Sequence, residues 1–216
     1  VNTSRTPPFA QARGACFCSV VRDKRRSMNS RLRNFSRLLI AALAAFALPC
    51  ASFAALQDGP KPNLLKNGDF AQGTDGWDFN AHLKQGKATA DPVEKHDGKP
   101  SVRIDNLGAD DSHLSQKVAV KPATRYRLTG WSKTKNVVAV ENPKSTAGAS
   151  LGVRGGFLKS DSLNKTQSWK RLTVEIVTVA ETEIAVGPRL GTFGGTVKGT
   201  AWFTDLEFKE LGPARR

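Results

Sequence analysis

The stretch TRYRLTGWSKTK, residues 124–135, carries the reading of the fold. It alternates with period two, as a β-strand does. Tyr126, Leu128 and Gly130 fall on one face, and Arg127, Thr129, Trp131 and Lys133 on the other. The first face reads as core. The second puts a tryptophan and an arginine where a solvated face would carry Thr, Lys and Glu.

The same alternation recurs on both sides of this strand. SVRID sets Val102 and Ile104 on one face, and KVAV sets Val118 and Val120. ASLGV does so with Ala149, Leu151 and Val153; KRLTVEIV with Leu172, Val174 and Ile176; TEIAVG with Ile184 and Val186. TAWFTDLEF closes the series, with the parity of Trp202 ambiguous between Ala201 and Phe203. Turn markers separate the runs: NGD at 67–69, HDGKP at 96–100 and GTFGG at 191–195. GGTVKGT has the wrong lysine spacing for a phosphate loop and reads as a flexible hairpin. Helical periodicity is absent from all of this. Many short alternating strands between turns predict an all-β fold, an antiparallel β-sandwich or barrel, and of these the two-sheet antiparallel β-sandwich is the form that the resemblance described below implies.

The N-terminal quarter reads differently. Residues 1–27 are basic and irregular and precede Met28, the one methionine; they read as an upstream gene-model extension. Residues 28–54 have the order of a secretory signal peptide: three arginines without an acid, eleven apolar residues from Leu38 to Leu48, then Ser52 and Ala54 as small residues before a cleavage point. Eleven apolar residues are too few to span a bilayer, which takes about 20, so no membrane span is expected in the mature form. The expected location is secreted or periplasmic, with residues 55–61 as linker, 62–211 as the β-sandwich and 212–216 as a frayed tail. All three cysteines, Cys16, Cys18 and Cys50, lie before residue 55, so no disulfide framework is expected. The net charge of +14 falls to +6 once the first 54 residues, with nine basic and one acidic, are set apart from the remaining 24 and 18. That balance does not suggest nucleic-acid binding.

NLLKNGDFAQGTDGW, then DGKPSVRI, LSQKVAVKPATRYRLTGWSKT, SWKRLTVEI and GTAWFTDLEF, appear in one order across Pro62 to Leu211. This ordered set resembles carbohydrate-binding modules of families four, nine and twenty-two, which have the galactose-binding-like jelly roll. The resemblance implies a non-catalytic domain that binds poly- or oligosaccharide, alone or beside a separate carbohydrate-active enzyme. It also implies a structural calcium. Ala71 and Thr204 stand where such modules often carry acids, leaving Asp69 and Asp205 as side-chain ligands, so calcium binding is expected to be weak at most. Ala123 departs from the Pro-Gly often found in the turn before the Tyr126 strand. Trp77 resembles the plug that closes one end of these modules.

Trp131 and Arg127 are then candidates for the floor of a sugar groove. A flat indole packs on the C–H face of a sugar, and a guanidinium offers a planar fork of donors. The competing reading has Trp131 covered by a loop and packing only. Arg103 and Arg189 alternate with apolar residues in the same way. If their strands flank the Tyr126 strand, three arginines line one groove, suited to an acidic sugar or to bridging hydroxyls; otherwise they are solvated charges. Trp77, Trp169 and Trp202 read mainly as packing residues. Two other classes of function stay open. A jelly-roll polysaccharide lyase needs a Tyr or His base beside Arg, and Tyr126 has core parity; an envelope protein-interaction domain needs no sugar site at all. His82, His96 and His113 read as loop residues, and Asp110 and Asp111 as solvated or capping ones.

Overall fold

A computed structural model describes residues 59–140, 146–192 and 195–214. The chain divides between Phe53 and Ala54, and all described residues belong to the second unit. The expected extension and signal peptide, 1–54, lie outside the described residues. Among the described residues no helix is long and apolar enough to cross a membrane.

Among the described residues nine strands follow one another: β1 (Asp78–Ala81), β2 (Gly86–His96), β3 (Lys99–Asp110), β4 (Ser112–Ala119), β5 (Thr124–Ala139), β6 (Gly148–Val153), β7 (Lys165–Val177), β8 (Glu183–Gly191) and β9 (Val197–Pro213). They form two antiparallel sheets, ordered β1-β4-β8-β6 and β2-β3-β9-β5-β7. This is the all-β two-sheet sandwich expected from the alternation, in the jelly-roll form that the resemblance implies.

The core lies between the sheets and is built from the inward positions. Tyr126 and Leu128 of β5, Val102 and Ile104 of β3, and Leu172, Val174 and Ile176 of β7 are all buried. Leu114, Val186, Leu190 and Leu151 face them from the other sheet. Tyr126 stacks on Phe208 at 5.0 Å, and its hydroxyl accepts a hydrogen bond from the Lys121 N–H at 2.7 Å. Gly130 is required by close approach, since a Cβ there would stand 2.2 Å from the Leu206 side chain. At the open end, Trp77 is buried against Phe70 and donates its indole N–H to the Asn67 carbonyl at 3.2 Å.

Four features depart from the sequence reading. β1 and β2 carry no clear alternation; β2 is an edge strand with Pro92 and a bulge between Asp91 and His96, and its pairing with β3 makes it a strand. The hairpin expected at GGTVKGT is, from Val197 on, the opening of the long β9. β9 has a bulge at Asp205, whose φ is 54°. One extra residue there lets Phe203, Leu206 and Phe208 all face inward, and it turns Trp202 outward beside Arg103 of β3 and Lys133 of β5. Finally, Asp110 is not solvated. It is buried and accepts from the N–H groups of Leu83, Gln85 and Asp111 at 2.8, 2.6 and 2.7 Å. Those bonds outweigh burial, which acts the other way, and hold its carboxyl below the usual range.

Candidate functional site

The two sheets present two outer faces. On the five-stranded face, Arg125, Arg127, Thr129, Trp131 and Lys133 of β5 point away from the core, as expected. Their surroundings were not legible. His96 stacks on the Trp131 indole at 4.1 Å between centroids and lies 5.4 Å from Trp169 of β7. The Trp202 indole donates to Asp91 at 2.9 Å, and Lys133 reaches Glu94 at 2.8 Å while standing 5.7 Å over the Trp202 ring. Side chains of β2 thus reach over β9 to partners as far as β5 and β7. Arg103 pairs with Asp105 at 2.8 Å and approaches Asp91 at 3.7 Å. Arg127 and Arg125 share Glu175, at 2.8 and 3.3 Å. Trp131 is half-buried and Trp202 buried.

Arg189 is not on this face. It lies on β8 in the other sheet, so the three arginines do not line one groove, and Arg103 is separated from β5 by β9. On the four-stranded face Arg189 joins a row in register across all four strands. Asn80 of β1 opposes His113 of β4, His113 opposes Arg189, and Arg189 opposes Ser150 of β6. An open cleft of about 540 Å³ lies over this row, lined by Asn80, His82, Asp111, His113, Arg154, Arg189 and Thr196 among others. A recess of about 40 Å³, lined also by Leu158 and Lys159, shares His113, Arg154 and Arg189 with it. Clefts of a few hundred Å³ are the usual size for small-molecule sites.

The electrostatics of this face differ as well. Both Asp111 oxygens accept from Arg189, one of them from Nε at 2.6 Å. The Arg154 side chain has no carboxylate partner among the described residues. His113 Nε2, Thr196 Oγ1 and Ser150 Oγ are buried without a hydrogen-bond partner in the protein. Such groups are uncommon in folded proteins and call for an explanation. Burial foremost, then the Arg154 and Arg189 charges, hold the His113 imidazole below its ordinary range. Burial and the Arg189 charge likewise pull the Lys159 ammonium down, against Asp161. The loop after β6, whose Gly155, Gly156 and Leu158 line the recess, holds Phe157 79% exposed.

Sequence reading missed His113, Arg154 and Phe157. His113 lies inside β4, not in a loop, and RGGFL at 154–158 gives the one available signal: an arginine and a phenylalanine flanking two glycines in a turn. Phe193 lies outside the described residues.

Asp69 and Asp205 do not form an open oxygen cage. Asp69 accepts from the Ala71 N–H at 3.3 Å, and Asp205 holds the Lys99 ammonium at 2.5 Å. That bond foremost, with the charges of Asp205, Asp69 and Glu207, raises the Lys99 pKa. No cluster of three His, Cys, Asp or Glu side chains suited to a metal occurs among the described residues.

Fold and cleft together define a jelly-roll binding domain. The family profile described as carbohydrate binding domain matches residues 62–184, and the chain belongs to that family of the four/nine type. Exochitinase 1 of Streptomyces olivaceoviridis is 31% identical over 94 residues, which are 42% of this chain but 15% of the exochitinase. The CBM22-1–CBM22-2 tandem domain of Paenibacillus barcinonensis Xyn10C superposes with a TM-score of 0.50 at 15% identity, over 72% of this chain and 48% of that one. TmCBM61 in complex with beta-1,4-galactotriose gives 0.47 at 21% identity, over 69% and 99%. The structural likenesses concern the fold.

Proposed function

We propose that this is a secreted or periplasmic, non-catalytic glycan-binding module that holds a poly- or oligosaccharide in the cleft of the four-stranded sheet. Family membership supports glycan binding. One observation favours this face: Asn80, His113 and Arg189 stand in one row across three paired strands and line an open cleft. Sugar hydroxyls exchange water for protein partners at small net gain, so a stacking surface adds needed affinity, and the exposed Phe157 supplies one. Arg189, from the residues expected to bind, keeps that role here. Trp131 is instead covered by His96 of β2, Arg103 pairs with Asp105 and Asp91 within the β2–β3 hairpin, and Arg127 pairs with Glu175 of β7. At Asp205 the Lys99 ammonium takes the place of a cation, and a calcium ion is not required.

Calorimetric titration of the full chain against a glycan panel tests this reading. Phe157→Ala and Arg189→Ala should each weaken binding, whereas Trp131→Ala should not. Retained binding in both cleft variants would sink it.

A second reading has a specific observation behind it. His113 stands opposite Arg189, the base-and-cation pairing that a lyase needs, although Tyr126 is buried in the core. Incubation with polyuronates should yield no unsaturated ends; their appearance would make the domain an enzyme.

A further inference from the structure

Resting on the cleft reading, the structure points further, to the class of glycan: we propose that the cleft selects a chain bearing negative groups, carboxylate or sulfate, with Arg154 as the principal contact. The residues lining cleft and recess include three basic side chains, Arg154, Lys159 and Arg189, and one carboxylate, Asp111. Asp111 is fully engaged by Arg189 and Asp161 acts on the Lys159 charge, so the cation left over is Arg154. Lys159 donates to the Ser162 hydroxyl at 2.8 Å and the Thr146 carbonyl at 3.4 Å, both neutral groups. Arg154 meets no acid among the described residues.

Cations brought together without acids repel one another and lose solvation, a cost that a bound anion relieves. The positive field also reaches His113, whose ring faces Arg154, Arg189 and Asp111 and lines both spaces. A guanidinium engages a carboxylate or sulfate in two parallel bonds, which gives selectivity beyond simple charge attraction. By contrast, Lys133, Arg127, Arg125 and Arg103 on the opposite face each have an acid within 4 Å.

The test is affinity electrophoresis and titration calorimetry of the full chain with three probes: polygalacturonate, a sulfated galactan and a neutral galactan or xylan. The acidic probes should bind at least about tenfold more tightly than the neutral ones, and the pair of acidic arms separates carboxylate from sulfate. Arg154→Ala should cost about tenfold on the acidic probe alone, the scale of one charge-assisted bond. Lys170→Ala, on the far sheet, should cost nothing. Part of the preference should survive at about 1 M salt, where screening confines charge effects to about 3 Å.

Neutral glycan bound as tightly as acidic, yet lost in Arg189→Ala, would keep the cleft and overturn its acidic selectivity. Acidic binding equally reduced by Arg154→Ala and Lys170→Ala would show attraction to overall charge, and overturn it too. No binding by any probe would overturn both readings.

Discussion

The outer faces of the two sheets are built from similar side chains and behave in opposite ways. Both carry arginine, lysine, histidine and aromatic residues. On the five-stranded face these groups satisfy one another: His96 on Trp131, Asp91 on Trp202, Glu94 on Lys133 and Glu175 on Arg127. On the four-stranded face they surround a cleft, and three buried polar atoms stay without partners. Residue type does not separate a binding surface from a packing surface. What separates them is whether the charged and polar groups are already paired.

The largest effect should come from the packed face. Trp202→Ala removes a buried indole and its bond to Asp91, a loss of about 3–5 kcal/mol for such a residue. In a domain of this size that lowers the melting temperature by about 10 °C, with glycan affinity unchanged. Trp131→Ala should do the same on a smaller scale, because the ring is half-exposed. A Trp131 variant that melts normally but no longer binds would restore that face as the sugar floor.

The cleft should respond the other way. Phe157→Ala should lower glycan affinity about tenfold, the scale of about 1.4 kcal/mol, while calorimetric melting moves by less than about 0.5 kcal/mol, as for exposed sites generally.

The faces should also titrate separately. Asp91, on the packed face, is held below the usual carboxylate range: burial opposes this, but the Glu94 and Val93 N–H groups, the Trp202 indole and Arg103 prevail. Its stabilisation is complete above about pH 4 and is lost as pH falls through the folded-state value. His113, in the cleft, is also depressed, so its contribution is full above about pH 6.5 and declines as pH falls below that. Melting curves from pH 8 to 3 should show both windows, and His113→Gln should remove the upper one alone.

Smallest of all should be the effect of a chelator. With Lys99 seated on Asp205, removing divalent ions should shift melting by no more than about 1 °C, within the few tenths of a kcal/mol expected of sites without a bound ligand. A large drop would show that calcium displaces the lysine.

Much of the fold could be read from alternation. Val102, Ile104, Tyr126, Leu128 and Leu172 are buried because parity on a strand is local, and the sequence states it. Which sheet a strand joins is a matter of distant pairing. Arg103 and Arg189 alternate alike, yet β3 and β8 belong to different sheets. The same limit applied to Trp131. Its outward parity was legible, but its cover, His96, arrives from a bulged edge strand whose pattern carried no signal. Trp202 stayed ambiguous because the Asp205 bulge changes the parity of β9. The cleft was hardest to see, since Asn80, His113, Arg154 and Arg189 come from four separated segments and meet only when the strands pair.

The location of the ligand decides between the faces most directly. Amide chemical shifts of the isotope-labelled protein, followed during titration with a bound oligosaccharide, should move at His113, at Gly152 to Leu158 and around Arg189. The indole N–H signals of Trp131, Trp169 and Trp202 should stay in place. Shifts centred on Arg127, Trp131 and Arg171, with the four-stranded face unmoved, would contradict the assignment of the cleft.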